Sequence, residues 1–397
     1  MLSPFHHFPF RVLWAGMGFS YAGDRLQELA QGWLIATLTG SALAVGTISI
    51  LSAIPMFLMP LSGVISERAD RRKILLTGQI AGAILTGTVA VLALTHHLQV
   101  WHIYLWAFFS GVIWLMVRPA YKVFITEAVP SEEVRQAVSI NSITETSASA
   151  VMQAGGSAVL ANMGVVLGFI LNAVSYLIAA TCLILLGKMK IETRHIGQRI
   201  QAGKVFRDLW EGLKYLGGKK ELLYPLLLTL LGSLLCSPVS VLLAAIVKEE
   251  KGSIITLGII GTALSIGALL GALFAGMRSE GDPMRTYPWM GFCAALLIGV
   301  FVFDPTGIPG IAAAAGLGFL TFAQAVWNTS RVPRLAEPEY QARLQSLSTM
   351  VFTLGPFLGA LWGGLAFDRF GIRALLISPV LLTLISASVL IRKVGKR

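Results

Sequence analysis

The sequence predicts an all-α polytopic membrane protein: twelve transmembrane helices in two pseudo-symmetric six-helix bundles. Three observations lead there. Of its 397 residues, 55% are apolar and only 13% charged, about half the charge of a water-soluble chain. A dozen apolar runs near the roughly 20 residues that cross a bilayer fit between Phe10 and Ile391. The runs lack the two-residue alternation of a barrel, so helices must satisfy their backbone in lipid.

Taken in order, the predicted spans are 11–37, 42–65, 74–95, 102–125, 136–160 and 164–186, then 223–247, 254–277, 287–303, 308–331, 344–367 and 372–391. This divides the chain into an N-terminal bundle (1–186), a cytoplasmic linker (187–222) and a C-terminal bundle (223–397). In the linker, Phe206, Leu209, Leu213 and Leu216 recur at helical spacing beside basic residues, which predicts an amphipathic helix lying on the membrane surface. The halves echo each other, as transporter repeats do. A shift of 212 superposes Gly40-Ser41, Gly46 and Asp70 on Gly252-Ser253, Gly258 and Asp282, and a shift of 207 superposes Glu132, Ser139, Gly156 and Gly164 on Glu339, Ser346, Gly363 and Gly371.

Net charge is +11, yet the basic residues follow topology rather than nucleic acid. Of 31 Lys and Arg, 26 fall at the termini and even-numbered connections, four (Lys248, Lys251, Arg369 and Arg373) at odd-numbered ones, and Arg25 lies inside a span. The positive-inside rule then places both termini in the cytoplasm. Span 1 carries Asp24, Arg25 and Glu28 and has no short apolar core ending in a cleavage site, so it is expected to remain as a helix. Cys182, Cys236 and Cys293 fall in apolar spans and read as small fillers. The six histidines lie in termini or connections, and neither a phosphate loop nor zinc-ligand spacing occurs. No enzyme activity, metal or cofactor is expected.

Ionisable groups inside a bilayer are costly unless they face a partner or a cavity. Asp24, Glu28 and Gln31 share a helix face by their i, i+4, i+7 spacing, and Asp24 stands roughly 20 Å along the helix from Arg11. Two carboxylates one turn apart disfavour joint ionisation, so one can hold a proton; alternatively Arg25 neutralises one in a local pair. Span 5 adds Asn141 and Glu145, a second proton or cation site or an interhelical hydrogen bond. Span 10 adds Gln324 and Asn328. Arg118 and Arg331 lie near cytoplasmic ends, where gating or snorkelling accounts for them.

Between spans 2 and 3, Gly63-Val-Ile-Ser-Glu67-Arg68-Ala-Asp70-Arg71-Arg72 resembles the signature loop of the major facilitator superfamily, with Glu67 where that family usually carries Asp. The resemblance extends over nearly the whole chain to the superfamily's twelve-helix drug and siderophore exporters, through Gly23-Asp24 and Trp33, Thr39-Gly-Ser-Ala-Leu-Ala-Val-Gly46, Pro55, Pro119-Ala120 and Leu171-Asn-Ala-Val-Ser-Tyr176. It implies that the loop, with Arg118, latches the halves at the cytoplasmic mouth, where a purely topogenic basic loop is the alternative. It also implies that helices 1 and 5 border a central cavity. The expectation is a monomeric bacterial inner-membrane exporter of a small amphipathic compound, with Asp24, Glu28 and Glu145 coupling transport to the proton gradient. A lysophospholipid flippase and a transport-dead receptor or scaffold are the rivals.

Overall fold

The computed structural model describes residues 3–58, 70–187, 211–278 and 281–394, and every regular element among them is helical. In chain order these are α1 (Phe8–Thr39), α2 (Ala42–Ala53), α3 (Arg71–Leu94), α4 (Val100–Glu127), α5 (Val134–Val151), which runs through a π-helical turn at Met152–Gly156 into α6 (Ser157–Met163), and α7 (Val166–Leu185). The short α8 (211–218) follows, then α9 (Lys220–Val241), α10 (Leu243–Glu249), α11 (Ile254–Met277), α12 (Pro283–Phe303), α13 (Ile308–Leu335), α14 (Pro338–Phe370) and α15 (Ile377–Val394).

Among the described residues nine helices are long and apolar enough to cross a membrane. The three predicted spans outside that group have different reasons for it. α1 has ample length, 32 residues, but holds Arg11, Asp24, Arg25 and Glu28; α2 is apolar, and its predicted span runs past the described residues; α5 is rich in Ser and Thr. Several of the α5 hydroxyls bond back one turn, as Thr144 does to the Ile140 carbonyl at 2.9 Å and Thr146 to the Ser142 carbonyl at 2.9 Å, which satisfies these donors within the helix.

Contacts divide the chain into two compact units, 1–38 with 51–202 and 39–50 with 203–397. The core of the first gathers Phe10, Leu13 and Met17 of α1, Leu75 of α3, Tyr121 and Phe124 of α4, Ala137 of α5 and Leu183 of α7. In the second, α11 packs on α13, α9 on α14 and α12 on α15. The α11–α13 pair meets at backbone distance: a Cβ on Gly267 would stand 1.8 Å from the Ala315 carbonyl oxygen, and one on Gly271 2.1 Å from that of Phe319. Small residues permit such contact between membrane helices.

The repeat positions do matching work in the two halves. Asp70 and Asp282 each cap the helix that follows, accepting from the backbone N–H groups of Arg72 and Lys73 and of Met284, respectively. Gly164 (φ +87°) and Gly371 (φ +65°) each end a helix in backbone that side chains rarely adopt.

Of the signature loop, Gly63, Glu67 and Arg68 lie outside the described residues. Its remaining part works within the first unit. Arg71 pairs with Glu127 at the end of α4, and Arg72 donates to the carbonyls of Leu183 (2.9 Å) and Ile184 (3.2 Å) at the end of α7. These basic groups meet the negative ends of two helices and tie three helix ends together. The linker also departs from expectation. Phe206 and Leu209 lie outside the described residues, while α8 turns Leu216 inward among Leu222, Ala336, Leu344 and Leu347. Tyr215 stacks on Tyr340 at 4.2 Å and Glu211 pairs with Arg343 at 2.8 Å. This end of the linker therefore docks on the second unit instead of presenting Leu216 to lipid, because α13 and α14 offer it a complementary apolar surface.

Candidate functional site

Gly23 is where the site begins. A Cβ there would collide with Ser175 Oγ at 2.3 Å and Asn172 Oδ1 at 2.4 Å, so only glycine lets α1 lie this close to α7. The next residue, Asp24, then reaches two donors on α7: the Tyr176 hydroxyl donates to its Oδ1 at 2.6 Å and Asn172 Nδ2 donates to the same oxygen at 3.1 Å. Asn172 also donates to Gln27 Oε1 at 2.6 Å, and its own Oδ1 accepts from Ser175 Oγ at 2.9 Å. Asn172 and Gln27 are each 1% exposed, so this net holds the carboxylate in a fixed place.

Arg25 pairs with Glu28 at 2.7 Å. The Glu28 side chain is 65% exposed. The local Arg25–Glu28 pair is the one formed, while Asp24 takes its hydrogen bonds from Tyr176 and Asn172. Gln31 is buried in α1.

Glu145 and Arg118, assigned to separate roles from sequence, form one ion pair at 2.7 Å. Arg118 also lies 4.6 Å above the Trp114 ring, a cation–π contact that fixes its reach. Beside it the Tyr121 hydroxyl donates to Asn141 Oδ1 at 2.7 Å, and Trp14 Nε1 donates to Thr144 Oγ1 at 2.8 Å. These bonds fasten α5 to α4 and α1.

Asp24, Tyr176, Arg118, Tyr121, Tyr21, Ser20, Gln79 and Trp114 line a crevice of about 40 Å³ in the first unit. That is room for roughly three waters. Gln79 is 3% exposed and its Oε1 has no partner among the described residues. Chemically, the crevice offers a carboxylate that two donors orient, the Arg118 guanidinium and three tyrosine hydroxyls.

Gln324 and Asn328 belong to the second unit and form a network of their own. Both donate to Thr229 Oγ1, Gln324 at 3.1 Å, and the Tyr287 hydroxyl donates to Asn328 Oδ1 at 3.2 Å. Asn172, Tyr176, Gln79, Thr229 and Tyr287 were not singled out as site residues from the sequence. A signal did exist for the first two. Asn172, Ser175 and Tyr176, at i, i+3, i+4, are a polar stripe on an otherwise apolar helix.

The Arg118–Glu145 pair yields a stability test. Removing one partner strands the other in a low-dielectric setting, whereas removing both does not. Arg118→Ala alone should lower the detergent melting temperature by several degrees, on a scale of about 1–2 kcal/mol after allowing for partial exposure. The Arg118→Ala/Glu145→Gln double variant should recover part of that loss, and strict additivity in the double-mutant cycle would contradict the pairing.

Comparison with known proteins agrees with this architecture. The family model described as transmembrane secretion effector matches residues 1–395. Macrolide efflux protein A of Streptococcus pyogenes is 22% identical over 378 residues, covering 92% of this chain and 90% of the relative. An enterobactin exporter of Salmonella typhimurium is 24% identical over 366 residues, covering 90% and 86%. In fold, the chain is similar to the inward-facing, unoccupied structure of a bacterial homologue of the human lysosomal transporter Spinster, with a TM-score of 0.74, 13% identity and coverage of 98% and 96%. The chain belongs to the transmembrane secretion effector family of the major facilitator superfamily, and is a multi-pass membrane transporter rather than an enzyme.

Proposed function

We propose that this transporter exports a small amphipathic compound across a bacterial inner membrane by alternating access, exchanging it for protons. The observation that carries the reading is Asp24: a carboxylate on a helix of spanning length, hydrogen-bonded by Tyr176 and Asn172 and lining a crevice of water-bearing size. A group so placed can take up a proton when the crevice wets and release it when the surroundings change. Arg118, which lines the same crevice, supplies a second exchangeable contact through its ion pair with Glu145: protonating Glu145 would free Arg118. The export direction and the amphipathic cargo rest on relatives named for macrolide efflux and enterobactin export.

The test is purified protein in liposomes with an imposed pH gradient and a panel of macrolides, catecholate siderophores and lipophilic cationic dyes. At least one member should move against its own gradient while the pH gradient lasts, and stop when a protonophore collapses it. Flux that ignores the protonophore would overturn proton coupling.

A further inference from the structure

The crevice of the first unit has a repeat twin in the second. Under the 212-residue shift Ser20, Asp24 and Gln79 fall on Gly232, Cys236 and Gly291, and under the 207-residue shift Trp114 and Val117 fall on Thr321 and Gln324. These five partners all line one crevice of the second unit, between α9, α12, α13 and α15, and its volume is again about 40 Å³. A repeated fold has therefore built the same hollow twice. Its chemistry differs at three positions. Where the second unit carries a glycine, a thiol and a glycine, the first carries a hydroxyl, a carboxylate and a carboxamide, each of them bearing oxygen.

Two of these oxygens are short of partners. Both hydrogen bonds that Asp24 accepts, from Tyr176 and Asn172, end on Oδ1, and no donor among the described residues reaches Oδ2. Gln79 is 3% exposed, and its Oε1 is buried with no partner among the described residues. The orientation of its amide is set by Met17: Nε2 donates to the Met17 sulfur at 3.6 Å, and a thioether has no hydrogen to give to Oε1 were the amide reversed. Burying an amide oxygen unsatisfied is costly. The position therefore calls for a donor or a cation that the chain does not itself supply. Ser20, 2% exposed, adds its hydroxyl to the same crevice.

We propose that the crevice of the first unit is a sodium site, in which Asp24 Oδ2, Gln79 Oε1 and Ser20 Oγ ligate one Na+ and water completes its shell. Hard cations take oxygen ligands of these kinds, and room for roughly three waters holds the ion with part of its hydration. One carboxylate balances one positive charge where excess charge is expensive. A divalent ion finds less: no group of three His, Cys, Asp or Glu gathers among the described residues. Arg25 and Arg118 keep their own charges offset by Glu28 and Glu145, each at 2.7 Å. The site goes beyond proton exchange, with Na+ and a proton as alternative occupants of one carboxylate, and it needs no gradient to fill.

The test is isothermal titration calorimetry on full-length protein in detergent, without substrate, with NaCl titrated against choline chloride of equal ionic strength. The parent should give a saturable heat that Asp24→Asn abolishes. Gln79→Leu and Ser20→Ala should each raise the apparent dissociation constant at least roughly tenfold, the scale of losing a supporting group around a bound metal ion. Gln79→Glu sets a second carboxylate in the same place and should turn the preference from Na+ to Ca2+, a change that a merely structural glutamine would not show. Should Gln79→Leu fail to fold, Gln79→Glu and Ser20→Ala carry the test. Cys236→Ala, in the twin crevice, should keep the parental heat. Flux that ignores a protonophore would end proton exchange and leave this result standing. A parent without sodium heat, or Asp24→Asn and Gln79→Leu binding Na+ as the parent does, would overturn the site and leave water as the partner of Gln79.

Discussion

Asp24→Asn is expected to cut proton-driven efflux roughly 100-fold, the scale typical of losing a group that transfers protons, while leaving the fold intact. Asparagine has nearly the same size and keeps a carbonyl oxygen to accept from Tyr176 and Asn172, so the α1–α7 seam should survive and the melting temperature should barely move. What it removes is the exchangeable proton. Substrate counterflow, which needs binding and alternation without a gradient, should therefore persist. Tyr176→Phe offers a graded comparison: it deletes the shorter donor and leaves the carboxylate, with an expected loss near tenfold, because a hydrogen bond to a charged group is worth about 1.5–3 kcal/mol. Gradient-driven flux at the parental rate in Asp24→Asn, measured in the same liposomes, would remove Asp24 from the mechanism.

The fold was legible because its two signals, apolar length and repeated caps, act locally. Asp70 and Asp282 could be paired from the sequence alone, and they cap equivalent helices. Individual charges located the candidate site less completely. Spacing placed Asp24, Glu28 and Gln31 on one face of α1, but could not say that Arg25 would turn to Glu28, since that depends on which neighbour is exposed. It named Glu145 and Arg118 in separate roles, because partners on different spans have no fixed spacing and meet only through packing. The segments around Gly23-Asp24 and Asn172–Tyr176 were both noted, yet as isolated stretches. Only the close approach of α1 and α7 at Gly23 shows that they make one contact.

The strongest effect on folding should come from Gly267→Ala. On a helix in lipid, association gains little from the hydrophobic effect, so close packing supplies much of the attraction. α11 and α13 obtain it by bringing Gly267 and Gly271 against the carbonyl oxygens of Ala315 and Phe319, with Gly318 returning the contact to the Leu264 carbonyl at 2.1 Å from a would-be Cβ. A methyl 1.8 Å from a backbone oxygen cannot be relieved by a rotamer change; the helices must separate, and every contact along the seam weakens together. Overpacking of this kind costs about 1–3 kcal/mol, which for a unit of this size lowers the melting temperature by roughly 2–12 °C. Gly276→Ala is the matched control on the same helix, since a Cβ there meets nothing within 4 Å, and the gain in helix propensity of up to about 1 kcal/mol should hold or raise its stability. Thermal unfolding of both variants in one detergent separates the two cases, and equal melting temperatures would mean that the α11–α13 seam does not govern the stability of the second unit.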